Sequence, residues 1–529
     1  MKNKKYMMVL GAVMLMASCH KSLDLKPTND ITADVVYSSP EGYKQAFVKI
    51  YASFALTGGG GSGSSDLGGI DAGTSDFLRL YWNVQELASD EAACAWVQDP
   101  GISDLNHLTW NENNVLLKGL YTRSLYQITV ANEFLRESTD EKLSSRNITE
   151  ADAEEIRAYR TEARFLRAYQ YWVLMDLFGN PPFITEADAI SKVPPRQIPR
   201  AELFTYVESE LLAIESMMVE PHQNEYGRAD KAAAWLLLAK LYLNAEVYLG
   251  EGNGKYGEAI TYSNRVIESG YTLEPTYANL FLADNDQHRN EIILSINYDA
   301  VNSQNFGGTT FLINSSTNSA MDPASLGIPN GGWGGNRAKA SLVDKFDDLT
   351  GATDSRAMFF GENPAIQDIS LFDQGIAVMK FKNVDRNGTA APSNDGTQCS
   401  VDFPLFRLAD AYLIYAEAVL RGGQGGDMAT AVAYVNELRE RAFGNTNGNV
   451  SSITLDFILD ERLREFYWEA HRRTDLIRFG KYTGNAYVWP FKGGAQEGIA
   501  VEAYRTIFPL PASDVIANPN LDQNNGYIK

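Results

Sequence analysis

The segment ILDERLREFYWEAHRRTDLIRFGKY, residues 458–482, holds the densest set of groups able to do acid–base chemistry. Glu461, Glu465 and Glu469 are four residues apart, which on a helix puts three carboxyls on one face, with Arg464, Arg472 and Arg473 close by. Two carboxyls about 5–10 Å apart are what glycoside hydrolysis needs. Arginines interleaved at this spacing favour mutual ion pairing instead, which holds a carboxylate ionised and unfit as a general acid. His471 follows Glu469 by two residues, so the zinc-binding H-E-x-x-H pattern is absent. The histidines at 20, 107, 222, 288 and 471 have no metal-ligand spacing, and no G-x-S-x-G elbow occurs. Asp344, Asp347 and Asp348 lack the EF-hand spacing and read as a solvated face. No catalytic residue, metal or cofactor is assigned.

The tryptophans suggest a second chemistry. The apolar C–H face of a pyranose stacks on an aromatic ring while amides and carboxylates bind its hydroxyls. Trp172, Trp235 and Trp468 lie in helical patterns and read as core, and Trp110, in HLTWNENN, reads as a loop anchor. Trp489, in VWPFKGG, has no placement. Trp82, Trp96 and Trp333 fall in loop-rich stretches, Trp82 beside Asn83 and Trp333 among Gly331, Gly332, Gly334 and Gly335. Flanking glycines leave a ring exposed and let backbone approach a ligand. A loop tryptophan is equally able to be a buried anchor, so these residues alone leave both readings open.

The elements that must position these groups are mostly helical. Residues 149–184 begin with Thr149 three positions before Asp152, a capping-box spacing. Tyr159, Ala163, Leu166, Val173 and Leu177 form one apolar stripe; Phe165, Tyr169 and Trp172 form a second, so this helix is packed on more than one side. Gly179, Pro181 and Pro182 end it. Further helices are expected over 40–56, from about Asn114 to Glu137 and near 200–219. Trp235, Leu238, Ala239 and Tyr242 match half of a tetratricopeptide unit, with Ala259 in the second helix, and residues 412–441 repeat the pattern. Stacked hairpins of this kind bury a shared core. The run TGGGGSGSSDLGG, 57–69, has no G-K-[ST] and reads as a flexible surface loop rather than a phosphate cradle. Residues 80–111 show little periodicity. Between 299 and 404 glycine, asparagine, serine and proline dominate, as in NSQNFGGTTFLINSSTNSAMDP, and a loop-rich segment this long is expected to carry function.

Lys2, Lys4 and Lys5 precede an apolar run from Met7 to Ala17 that ends at Ser18-Cys19, the layout of a secretory signal too short to span a bilayer. Cleavage before Cys19 would leave a cysteine for lipidation; an ordinary cleaved signal is the alternative. Two or three acyl chains at ~0.8 kcal/mol per buried methylene anchor a protein stably. Cys94 and Cys399 are too few for a disulfide framework and are expected to be free buried thiols. With 46 basic against 67 acidic residues and a net charge of −21, the chain repels phosphate backbones, which excludes nucleic-acid binding.

The string TEARFLRAYQYWVLMDLFGNPPFI closely resembles the marker helix of the SusD/RagB family of outer-membrane nutrient-binding lipoproteins. Glu461-Arg462, Glu465, Glu469, Arg472, Asp475-Leu476 and Arg478 to Gly480 resemble a second landmark of that family, where the segment is a scaffold helix. TIFPLPASDVIANPNLDQNNGY (506–527) and RLADAYLIYAEAVLRGG (407–423) resemble two more. The resemblance implies an all-α-dominated, tetratricopeptide-like scaffold of helical hairpins with a long loop-rich insertion carrying the binding face. Its parts would be a signal peptide at 1–18, a lipidated tether at 19–40, scaffold over 41–298 including the loop region 57–111, the insertion at 299–404, and closing helices over 405–529. It implies a non-enzymatic surface protein, lipidated at Cys19, that delivers an oligosaccharide, a plant-type glucan being one candidate, to a SusC-like TonB-dependent transporter. Peptide capture by the same fold and an α-helical glycosidase are the rival readings. Because the family puts both loop-rich regions on one surface, Trp82, Asn83 and Trp333 become the expected glycan contacts, with Trp96, Asp66 and Tyr298 completing the set.

Overall fold

The computed structural model describes residues 32–190, 193–287 and 289–528; the signal, Cys19 and most of the tether lie outside the described residues. The central element is the helix Glu150–Phe178. Thr149 caps it by accepting from the Asp152 N–H at 3.3 Å, and Gly179 leaves it at φ 71°, a conformation that costs a glycine little. Both apolar stripes are buried, and Phe47 of the helix Pro40–Ala55 stacks on Tyr159 with ring centres 4.4 Å apart. The same helix packs on Val115–Glu137 on one side and on Arg200–Ile214 on another, which is why it needs two stripes.

The hairpin stack continues through Lys231–Leu243 against Tyr256–Ile267, and through Leu408–Leu420 against Met428–Phe443. Tyr256–Ile267 packs directly on Leu408–Leu420, so the repeat closes over the point where the intervening chain leaves it. Ala239, Ala259, Ala416 and Ala431 are fully buried there, and their small side chains let the helices approach closely. The chain that leaves the stack is tied back by strand Ile292–Ile296, antiparallel to Phe403–Arg407. A second antiparallel pair joins Ala92–Cys94 to Asn336–Ala338, with Cys94 opposite Asn336. Among the described residues no helix is long and apolar enough to cross a membrane, and Cys94 and Cys399 are buried free thiols.

One stretch departs from the sequence-based expectation. Residues 80–95, expected to be a loop, are wholly buried: the helix Phe77–Trp82 widens into a π-helical turn over Asn83–Leu87 and runs on to the Ala92–Cys94 strand. The turn's polar side chains Asn83, Gln85 and Glu86 are all buried. Gln85 donates to Thr474 Oγ1 at 3.0 Å, and Asp90 accepts both Nε and Nη2 of Arg472 at 2.7 and 2.8 Å.

Candidate functional site

The pairing of Ala92–Cys94 with Asn336–Ala338 decides which aromatic residues meet. Trp96 lies two residues past the end of one strand and Trp333 three before the start of the other, so antiparallel register delivers both to the same end of the ladder. The Ala95 N–H extends the ladder to the Gly335 carbonyl at 2.9 Å. Gly335 has φ 115°, and a Cβ there would stand 2.4 Å from Trp96 Nε1; only glycine lets the indole lie against this backbone. Trp333 is held by its own N–H donating to the Asn314 carbonyl at 2.8 Å. Both indoles are half-buried.

Two further groups complete the surface. Phe306 stands with its ring centre 6.3 Å from that of Trp333 and is 36% exposed. Arg79 lies over Phe311 and over Trp96, its guanidinium carbon 4.6 and 5.8 Å from the ring centres, and donates through Nη1 to the Phe306 carbonyl at 3.2 Å. Its buried Nε has no acceptor. The result is a set of three partly exposed rings, called the arc below, with Arg79 between Trp96 and the Phe306 backbone. Rings offer stacking faces and the guanidinium offers donors to hydroxyl oxygens, which is chemistry suited to a neutral polyol with an apolar face.

The arc differs from the expected set. Trp82 is 0% exposed: it lies edge-on to Phe311 at 5.6 Å and to Trp468 at 5.2 Å, beneath the arc rather than on it. Asn83 is buried with it in the π-helical turn, so neither side chain lies on the exposed surface. Tyr298 is also buried, its ring pressed against Gly308, where it backs the Asn305–Gly308 turn that carries Phe306. Asp76 fastens that turn by accepting from Gly308 N at 2.9 Å while capping the Phe77–Trp82 helix through Arg79 N at 2.9 Å. Asp66 is exposed but accepts from Tyr126 Oη at 3.0 Å, and no contact places it on the arc. Trp110 is the anchor expected, donating to Tyr527 Oη at 2.9 Å. Trp172 and Trp468 are core, Trp235 is only half-buried, and Trp489 is buried under Lys492, whose ammonium lies 4.2 Å from its ring centre. Arg79 and Phe306 join the set only in the structure. Phe306 carries the same signal as Trp333, a ring beside Gly307 and Gly308, whereas Arg79 in the apolar hexamer FLRLYW gives none.

The acid segment is a strut. Arg407 Nε meets Glu469 Oε2 at 2.7 Å and its Nη1 meets Glu465 Oε1 at 2.6 Å and Glu291 Oε1 at 3.0 Å. Arg356 Nη1 bridges Glu461 at 2.8 Å and Glu465 at 3.2 Å, Arg441 Nη1 meets Glu291 at 2.6 Å, and Lys380 meets Glu469 at 2.7 Å. All these groups are buried or nearly so. Burial alone would raise the Glu465 carboxyl, but Arg441, Arg407 and Arg356 outweigh it and hold it well below the usual carboxylate range. Such a group has no proton to give near neutrality.

Glu86 and Glu91 are the opposite case. Ala470 and Trp468, in left-handed conformation at φ 63° and 66°, aim N–H groups at Glu86 Oε1 (2.5 Å) and Glu91 Oε2 (3.2 Å). The other Glu86 oxygen faces no N–H donor and lies against Glu91. Burial first, and then the neighbouring carboxylate, raises Glu86 well above its ordinary value; burial raises Glu91 to about 7 despite Arg472. Raised acid values contribute stability below the unfolded value, which is lost as pH rises through about 7. Lys339, lowered to about 7 by burial, contributes with the opposite sign. Glu86→Gln keeps Lys339, Lys380, Asp90 and Arg472 in place, so the expected result is a melting temperature that falls less between pH 5 and pH 8 than the wild type's. Equal slopes would mean that Glu86 does not hold a proton in the folded state over this range.

Comparison with known proteins follows the same lines. Residues 359–527 match the SusD family, and residues 82–243 match a family described as starch-binding, associating with the outer membrane. The chain is 38% identical to the starch-binding protein SusD of Bacteroides thetaiotaomicron, over 96% of each chain. It is 24% identical to a SusD-like protein of Bacteroides ovatus over 98% of this chain and 97% of that one. Among solved structures, surface glycan-binding protein A from Bacteroides uniformis superposes with a TM-score of 0.70 at 22% identity, covering 92% of this chain and 99% of that one. Its counterpart from Bacteroides thetaiotaomicron, in complex with laminarihexaose, superposes at 0.68 with 20% identity, covering 92% and 99%. At those identities the superpositions speak for the fold.

Proposed function

The chain belongs to the SusD family, and we propose that it binds an α-glucan of the starch type at the cell surface through the arc of Trp96, Phe306 and Trp333. The observation that carries this reading is the arc itself: three ordered, partly exposed rings backed by Arg79, on a fold whose 38%-identical relative is a starch-binding protein. The open, apolar form of the arc favours a sugar chain over a peptide, which would call for a deep polar cavity. The ion-paired state of Glu461, Glu465 and Glu469 argues against hydrolysis. Calorimetric titration with malto-oligosaccharides and laminari-oligosaccharides, with reducing ends assayed in parallel, tests all of this. Binding confined to the maltose series without new reducing ends is the expected result; preference for the β-glucan or measurable hydrolysis would overturn it.

Delivery of the bound glucan to a TonB-dependent outer-membrane transporter, and lipidation at Cys19, belong to the same proposal. Cys19→Ala should move the protein from the membrane to the soluble fraction when no transporter is present. Retention of the variant in membranes under that condition would remove the lipid anchor from the reading.

A further inference from the structure

One apolar feature at the edge of the arc stays largely exposed among the described residues. The loop 361–375 leaves the Phe359–Phe360 strand and returns at Ala377–Val378, and its tip carries Leu371 and Phe372, 44% and 45% exposed. The tip is fixed rather than loose. Arg337, buried in the strand after Trp333, donates through Nη2 to the Ile369 carbonyl at 2.9 Å and through Nη1 to the Leu371 carbonyl. Ile369 is buried against Ala93 and Phe491, and Gln374 Oε1 accepts from the N–H groups of Gln367 and Asp368 at 2.7 and 2.9 Å. The side chain of Phe372 lies against the backbone next to Trp333: a Cβ on Gly334 would be 3.3 Å from Phe372 Cδ1. One strand therefore fixes both Trp333 and Phe372, Trp333 through the chain and Phe372 through Arg337.

We propose that Phe372 is a further glycan-contact residue that extends the arc beyond Trp333 and sets a preference for longer chains. This rests on the reading of the arc as a glucan site. Two adjacent large apolar side chains on a braced tip beside the arc offer a ready-made apolar face to a ligand bound there. The ridge is continuous with the arc through Gly334, so a glucan leaving the Trp333 ring runs onto Phe372. The C–H face of the next sugar stacks on the phenyl ring, with Leu371 flanking it and the exposed Asp373 beside it to accept from a hydroxyl. A short oligosaccharide that fills Trp96 and Trp333 does not reach this position.

The test is calorimetric titration of the full chain and of Phe372→Ala, Phe372→Tyr and Trp333→Ala with maltotriose and with maltoheptaose. Phe372→Ala should weaken maltoheptaose about tenfold and leave maltotriose unchanged, while Phe372→Tyr, which keeps the ring, should restore the longer sugar. Trp333→Ala should weaken both sugars. Equal loss for both lengths in Phe372→Ala, or no loss for either, overturns the extension while leaving the arc intact; the latter result would fit a protein partner docking on the ridge. A wild-type chain that binds neither sugar sinks the arc and the extension together. Phe372 is exposed, so an unchanged melting temperature accompanies each valid comparison.

Discussion

Trp333→Ala should weaken binding of a long malto-oligosaccharide by about thirtyfold or more, the loss of ~2 kcal/mol that a stacked tryptophan at a binding centre carries. Trp333 is half-buried, held by its backbone and set against Phe306, so truncation removes a stacking face without opening the core. Trp96→Ala should act in the same direction and also free Arg79, whose guanidinium it flanks. Trp82→Ala provides the contrast. Its ring fills space between Phe311 and Trp468, so its removal should cost ~3–5 kcal/mol of stability and weaken binding only through the collapse of the arc above it. Titration and thermal unfolding of the three variants separate these outcomes. Full affinity in both Trp333→Ala and Trp96→Ala would show that the arc is not the site.

Arg407→Met should be the most destabilising single change at the buried ion cluster. It leaves Glu465 without one of its three arginines, Glu469 with Lys380 as its remaining described cation, and Glu291 with Arg441 and the Glu274 N–H, all away from water. Breaking one partner of a buried pair costs ~3–5 kcal/mol, a large part of the 5–15 kcal/mol that holds a typical domain together. The denaturation midpoint should fall accordingly. The same cluster sets the acid limb of the wild type. Burial would raise Glu461, but Arg356, Arg464 and Arg439 outweigh it and bring it to about 2. A lowered acid value contributes stability above the unfolded value of about 4.5, lost as pH falls towards 2. The wild type should therefore lose melting temperature as pH falls below about 4.5, and Glu461→Gln should show a flatter acid limb. An identical acid limb in that variant would remove Glu461 from the cluster's ionised set.

What could be read from the sequence was what is encoded locally. Thr149 and Gly179 announce the ends of their helix by cap and stop chemistry, and the four-residue spacing of Glu461, Glu465 and Glu469 among arginines announces ion pairing. Trp82 and Asn83 misled because their helix has only six residues before it widens, too short for a 3.6-residue period to register. Gln85, Glu86 and Asp90 look like surface residues because the groups that bury them, Thr474, Ala470 and Arg472, lie nearly four hundred positions away. The meeting of Trp96 with Trp333 rests on the register of a three-residue strand pair, and nothing in either strand's composition specifies its partner.

Those long spans also bear on how the protein is made. Asp90 awaits Arg472, Gln85 awaits Thr474, and Trp110 awaits Tyr527, so the interior of the first quarter of the chain is completed by segments synthesised last. Loop closure over such distances is slow, and its reward comes only when both ends are present. A nascent chain halted anywhere before residue 472 holds polar groups it cannot afford to bury and stays open. A copy terminated before that point should therefore be cleaved by protease faster than the full chain.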